Sequence, residues 1–186
     1  MDREFTNNIV AIDPSLCSTG WAVLNQEREL IECGTIKTKK LRGIDRIDYI
    51  VSEILGIVLS AFSGREQDTP MLVFIENYPF GIGKLAQSGR IFDLAELGGT
   101  IKYVLWKEHN IITIPIATST AKKAATGKGN AKKEDVSRFV ISRYVTVLGL
   151  GDRKVSLDET DAIAVGLAGW EWMRDPEKLA TVTGDQ

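Results

Sequence analysis

The sequence predicts an α/β domain built on a mixed five-stranded sheet, in which three antiparallel strands are followed by parallel strands and helices flank the sheet. Two observations predict this class. Three short β-rich segments separated by turn residues come first, and the remainder alternates helical periodicity with short apolar runs. No repeat or proline-rich linker divides the 186 residues. We therefore expect one domain over residues 1–175 and a flexible C-terminal tail over 176–186.

The first half of the chain supplies four strands and one helix. An antiparallel meander is expected over segments 8–13, 20–25 and 30–37, which turn-forming residues separate. Over about 45–62, apolar residues recur every three or four positions, which indicates an amphipathic helix. The run MLVFI at 71–75 is apolar on both faces, as is typical of a buried parallel strand.

The second half supplies the remaining helices and one strand. A helical stretch is predicted over about 88–109, followed by a short strand over 111–114 that ends at Pro115. Two further helices are predicted over about 131–148 and 157–174. The order βββαβαβαα is that of the RNase H-like fold, and the right-handed crossover rule limits how these elements can be arranged. Many α/β domains begin similarly, so the order alone does not establish the fold.

Composition excludes several classes of protein. Cys17 and Cys33 are too few for a disulfide framework, and with the single histidine, His109, they cannot complete a zinc site. No apolar run approaches the roughly 18 residues of a membrane span. The charged N-terminus lacks a signal-peptide core, so secretion is not expected. The formal net charge is −2, and any bound metal must be held by oxygen.

Acidic residues at the ends of apolar strands are the most informative feature. Asp13 ends the first strand, and Glu76 ends the central one. The sequence Ser-Leu-Asp-Glu at 156–159 has the form of a capping box, which starts the last helix and places Asp158 and Asp161 on one face. Taken alone, Asp13 also fits a turn and Asp158 a favourable contact with the helix dipole. Together, four carboxylates suit Mg²⁺ or Mn²⁺.

A basic segment lies between Ala117 and Lys133 and contains no acidic residue. Its lysines are Lys122, Lys123, Lys128, Lys132 and Lys133. Glycine and asparagine residues interrupt them, so we expect a flexible cationic loop that binds phosphate backbones. The alternative is an ordinary solvated surface loop. A second basic cluster follows the third strand and consists of Lys37, Lys39, Lys40 and Arg42.

Four blocks of the sequence together resemble the RuvC family of Holliday junction resolvases, in that family's order. The blocks are AIDPSLCSTGWAVL at 11–24, FIENYPF at 74–80, AKKAATGKGNAKKEDV at 121–136 and LDETDAIAVGLA at 157–168. The resemblance spans residues 9–167. It implies that Asp13, Glu76, Asp158 and Asp161 are catalytic acids that bind Mg²⁺, with Mn²⁺ as a substitute, and that each active site holds two ions.

The resemblance also implies how the chain binds DNA. Lys122 and Lys133 match the lysines that the family uses near the scissile phosphate, and Tyr78 or Phe80 matches an aromatic residue that contacts the junction centre. The family further implies a homodimer without membrane association, which nicks opposed strands of a four-way junction and leaves 5′-phosphates. Its expected setting is the cytoplasm of a bacterial cell or of a virus-infected bacterial cell.

Several alternatives remain open at this point. A nuclease of the same fold could instead cut flaps, other branched DNA or RNA–DNA hybrids, and a junction-binding protein could have lost catalysis. A sugar-kinase-like ATPase fits poorly, because 186 residues allow only one of its two lobes. Gly98 and Gly99 interrupt a helical stretch, at a cost of roughly 1 kcal/mol each relative to alanine. They suggest close helix packing within the chain, between chains or on the domain's own sheet.

Overall fold

The computed structural model describes residues 8–64, 71–77, 90–145 and 154–183. Its strands are β1 (Ile9–Asp13), β2 (Ser18–Leu24), β3 (Leu30–Lys37), β4 (Leu72–Asn77) and β5 (Ile112–Ala117). They form one sheet in the order β3-β2-β1-β4-β5. The first three strands pair antiparallel, while β4 runs parallel to both β1 and β5. The predicted mixed five-stranded sheet is therefore confirmed.

Helices cover both faces of this sheet. They are α1 (Gly43–Ala61), α2 (Arg90–His109), α3 (Thr118–Thr126), α4 (Lys133–Val140), α5 (Leu157–Met173) and α6 (Pro176–Thr183), and a π-helical turn, Ile141–Val145, continues α4. One face packs against α1 and α2, and the other against α3, α4 and α5. No helix in the described ranges is long and apolar enough to cross a lipid bilayer.

Small residues let α5 lie very close to the sheet. A Cβ atom at Gly166 would collide with the side chain of Leu24 on β2. At Gly169, a Cβ atom would lie 2.5–3.0 Å from ring atoms of Phe74 on β4, which is closer than real Cβ contacts allow. The glycines thus fix the height of α5 above the strands, as the run of small residues after Asp161 predicts.

The prediction of a flexible cationic loop is wrong over the first half of that segment, because residues 118–126 form α3. Ala121, Ala124 and Ala125 are buried at helical spacing and give this short helix a packed face. Gly127 ends the helix in the left-handed conformation, with φ 77°. Of the expected loop, residues 127–132 join α3 to α4. The lysines and threonines around the alanines hide the periodicity in the sequence.

The last strand continues past the proline at which it was expected to end. β5 runs through Pro115, which lies opposite Ile75 of β4 in the parallel register, and reaches Ala117. β5 is an edge strand of the sheet, where a residue without an N–H group can be accommodated without breaking a central ladder. The proline signal in the sequence does not reveal that the strand lies at an edge.

Part of the expected flexible tail is helical. In α6, Pro176 occupies the first turn, where its missing N–H group costs nothing. The N–H of Lys178 donates a long, 3.4 Å hydrogen bond to Oδ1 of Asp175 just before the helix. Leu179 and Val182 pack against the core beneath α5. Pro176 and the polar end of the chain predict a frayed terminus, whereas in the structure Pro176 begins a helix.

Candidate active site

Two carboxyl groups meet at the ends of adjacent parallel strands. Ile12 of β1 lies opposite Ile75 of β4, so the next residues along the two strands, Asp13 and Glu76, lie side by side. The residues two positions earlier in each strand belong to the core beneath α5. Because side chains alternate along a strand, both acids project to that same face. Their carboxyl groups share a hydrogen bond.

Burial and the neighbouring acids keep this carboxyl pair from ionising fully. Burial raises the pKa of Asp13 to about 9, and the hydrogen bond and negative charge of Glu76, together with the charge of Asp161, act in the same direction. Lys133 opposes them without cancelling the effect. A carboxyl group with such a pKa keeps its proton at neutral pH. A cation bound at this pair would replace that proton and stabilise both carboxyl groups in their ionised form.

The first turn of α5 brings two more acids to this end of the sheet. The hydroxyl of Ser156 accepts a hydrogen bond from the N–H of Glu159 at 3.2 Å, and the Glu159 carboxylate accepts one from the N–H of Ser156 at 2.7 Å. This capping box confirms the predicted start of the helix. Burial raises the pKa of Asp161, and the charges of Glu76 and Asp158 add to the shift, against the hydrogen bond from Lys133.

Lys133 holds a positive charge beside these acids. It is the first residue of α4, and its Nζ lies 2.5 Å from Oδ2 of Asp161. Burial works to lower the pKa of Lys133, but the hydrogen bond to Asp161 and the charges of Asp161, Asp13 and Glu76 outweigh burial, so the pKa is raised. The side chain therefore stays an ammonium group among the acids.

Asp158 is held by a different kind of partner, which sequence reasoning missed. The hydroxyl of Ser18 donates a 2.6 Å hydrogen bond to Oδ2 of Asp158. The sequence was interpreted as starting the second strand at Gly20, which left Ser18 in the preceding turn, whereas β2 begins at Ser18. The available signal was the alternation of strand side chains, which places Ser18 and Gly20 on one face.

The donors have the chemistry of a magnesium site, although the side chains are not arranged as one. Within ranges 8–64, 71–77, 90–145 and 154–183, no group of three or more His, Cys, Asp or Glu side chains is placed to hold a metal ion. Each acid instead has its own partner: Asp13 and Glu76 bond to each other, Asp161 bonds to Lys133, and Asp158 bonds to Ser18. Oxygen ligands with unbalanced negative charge nevertheless fit a hard divalent cation. Coordination by all four acids stays a prediction.

The other predicted DNA-binding residues lie apart from the acids or outside the described part of the chain. Of the candidate lysines in the described ranges, Lys133 alone contacts an acid of the site. Lys122 is half-buried in α3. The exposed candidates are Lys39, Lys40, Lys123, Lys128 and Lys132. Tyr78 and Phe80 fall outside the described residues, so their contact with a junction stays a prediction.

Comparison with known proteins identifies the family. The profile of the family described as "Crossover junction endodeoxyribonuclease RuvC" matches residues 9–169. A protein of that description from Ehrlichia ruminantium (strain Welgevonden) is 33% identical over 172 residues, which cover 86% of this chain and 94% of the relative.

Solved structures of 20–22% sequence identity share the fold. Thermus thermophilus RuvC matches with a TM-score of 0.66 and 22% identity, over 90% of this chain and 95% of that one. The structure titled "T. thermophilus RuvC in complex with Holliday junction substrate" matches with a TM-score of 0.66 and 20% identity, over 87% and 92% of the two chains. With the profile match and the 33% identical relative, this shows that the chain belongs to the RuvC family of crossover junction endodeoxyribonucleases.

Proposed function

We propose that this protein resolves four-way DNA junctions by hydrolysing one phosphodiester bond in each of two opposed strands, leaving 5′-phosphates. Membership of the family supports an endonuclease, and a fold neighbour is described in complex with a Holliday junction. The observation that carries the proposal is the carboxyl pair of Asp13 and Glu76 beside Asp161 and Lys133. Because its similar relatives are bacterial, we place this activity in the cytoplasm of a bacterial cell, or of one infected by a virus.

The four acids would hold Mg²⁺, or Mn²⁺ in its place, as two ions. Such ions, when bound, activate a water molecule for in-line attack and stabilise the departing oxygen. The oxygen-only donor set supports this choice of metal. So does the raised pKa of Asp13, which results first from burial and then from the hydrogen bond and charge of Glu76 and the charge of Asp161.

The lysines of the chain would bind and orient the DNA strand. Lys133 carries a stable positive charge beside the acids, and charge at this point favours the electron-rich phosphate that develops during hydrolysis. Exposed lysines that precede it in the chain, at 123, 128 and 132, would contact neighbouring phosphates. Lys39 and Lys40 after β3 would bind a more distant part of the backbone.

The exposed face of α2 supports the proposed homodimer. Phe92, Gly99, Tyr103 and Trp106 recur at helical spacing, and the three aromatic residues are 74%, 59% and 59% exposed. Among the described residues, a Cβ atom at Gly98 or Gly99 would meet nothing within 4 Å, so neither glycine is explained by close packing within that part of the chain. Close approach of a second copy would explain both. Trp106→Asp should yield a monomer in sedimentation, and a stable dimer would exclude this face.

Cleavage of a mobile four-way junction tests the proposed function. The purified protein is incubated with the junction in Mg²⁺ or Mn²⁺, and nicks are mapped on all four strands, with linear duplex, a flap and an RNA–DNA hybrid in parallel. Paired, symmetric nicks in opposed strands, ending in 5′-phosphate, support a resolvase. Preferential cutting of flaps or hybrids would assign another nuclease activity, and junction binding without nicks would leave only a structural protein.

A further inference from the structure

We propose that Ser18 is a positioning residue, which orients the carboxylate of Asp158 for metal binding through the 2.6 Å hydrogen bond to its Oδ2 atom. The inference rests on the proposed function, because it takes Asp158 as a metal ligand. Ser18 and Asp158 are 140 positions apart in the chain, and their contact joins the start of β2 to the first turn of α5.

The fold places Asp158 against β2 with little freedom. Gly20 lies two residues after Ser18 on the same face of the strand, and a Cβ atom there would collide with the backbone carbonyl of Asp158. Gly20 also lies directly opposite Asp13 in the antiparallel register. The backbone of Asp158 therefore abuts the cross-strand neighbour of Asp13, while Ser18 holds its carboxylate.

Ser18 is itself held by the turn that follows Asp13. The hydroxyl of Ser15 accepts a hydrogen bond from the N–H of Ser18 at 3.4 Å. The hydroxyl of Thr19, which is fully buried, donates to the carbonyl of Ser15 at 2.6 Å, and the N–H of Ser15 donates back to that hydroxyl at 3.2 Å. One short turn thus connects the strand that carries Asp13 to the donor that orients Asp158.

A carboxylate that binds a metal ion is better oriented by a hydroxyl group than by a positively charged side chain. The hydroxyl fixes the rotation of the carboxylate without neutralising its charge, and this hydrogen bond occupies one of the two oxygens. Asp161 contrasts with this, because its partner Lys133 carries a charge that a metal ion would have to compete with. Outer-shell donors of this kind typically change metal affinity by about 10- to 100-fold when they are removed.

The test is a Mn²⁺ titration followed by electron paramagnetic resonance, which measures free and bound ion without relying on cleavage. Ser18→Ala should raise the Mn²⁺ concentration at half-saturation about tenfold, whereas Ser18→Thr should retain most of the affinity. Ser18→Cys, which keeps the size but offers a weaker donor, should fall between them. Ser52→Ala, on the exposed side of α1, is the matched control and should bind as the wild type does.

A double-mutant cycle with Asp158→Asn separates positioning from general loosening of the site. Once Asp158 is replaced, Ser18→Ala should cause no further loss of Mn²⁺ affinity. Wild-type affinity in Ser18→Ala, or the same loss in both backgrounds, would overturn the proposal. Nick mapping of the wild type is read separately. A protein that binds Mn²⁺ but cuts no junction refutes the proposed function, while the Mn²⁺ titration still decides the role of Ser18.

Discussion

The two pairs of acids at this site are stabilised in different ways. Asp13 and Glu76, on the sheet, have mainly each other as hydrogen-bonding partners, and the pKa of Asp13 rises to about 9. On α5, each acid has a separate partner, a hydroxyl for Asp158 and an ammonium group for Asp161. The helix pair is therefore oriented by other groups of the protein, whereas the sheet pair retains a proton that a bound cation would replace. The difference locates the strongest demand for a cation at the strand ends.

The largest expected effect comes from neutralising the sheet pair. Asp13→Asn should abolish cleavage of a four-way junction, because a carboxylate of the proposed metal site is lost. The same change should raise the melting temperature of the metal-free protein by about 2–4 °C, because Asp13 ionises in the unfolded chain but must stay protonated in the folded one, whereas Asn carries no such cost. Nicking assays and thermal melts in EDTA measure the two effects. Asp48→Asn, at an exposed position on α1, is the control. A lower melting temperature in Asp13→Asn would contradict this account of the pair.

Disturbing the close contact between Gly20 of β2 and the backbone of α5 should have the next largest effect. Gly20→Ala places a methyl group where the carbonyl of Asp158 lies. We expect a loss of about 1–3 kcal/mol in the free energy of unfolding, because the strand or helix must shift. Urea denaturation measures the loss. Gly56→Ala on α1, where a Cβ atom meets nothing within 4 Å, should be neutral or stabilising. Equal stabilities of the two variants would show that the close contact at Gly20 does not determine the position of α5.

Removing the cation beside the helix pair should weaken DNA binding moderately. In Lys133→Ala, junction affinity in EDTA should fall, and the slope of log affinity against log salt should decrease by about one. Lys178→Ala is the matched control, because it removes an ion pair between Lys178 of α6 and Asp175 just before that helix. It should leave the slope unchanged. An unaltered slope in Lys133→Ala would show that this lysine does not contact the DNA phosphates.

The last expected effect is a pH dependence of the metal-free protein. Since the pKa of Asp13 is raised from 3.8 to about 9, the folded state binds more protons than the unfolded state between these values. Stability should therefore fall as pH rises, by about 1 kcal/mol for each pH unit between 6 and 8. Thermal melts in EDTA across this range measure the effect, which Asp13→Asn should remove. A stability that rises with pH in the wild type, but not in the variant, would reverse the sign assigned to Asp13.

Local sequence predicted the features that local chemistry determines. The apolar strands fixed the positions of Asp13 and Glu76, and the capping box fixed the start of α5. Partners brought together by tertiary structure were not predictable in the same way. The ion pair of Lys133 with Asp161 spans 28 positions, and no local pattern indicates it. Helix α3 was missed because its alanine stripe is only one turn long.

The most direct test of the proposed cation site is anomalous X-ray diffraction from crystals soaked in Mn²⁺, at a concentration that supports cleavage. We expect an anomalous peak bonded to carboxylate oxygens of both Asp13 and Glu76, with the proton between them displaced. An occupied Mn²⁺ site elsewhere, with Asp13 and Glu76 still hydrogen-bonded to each other, would contradict it.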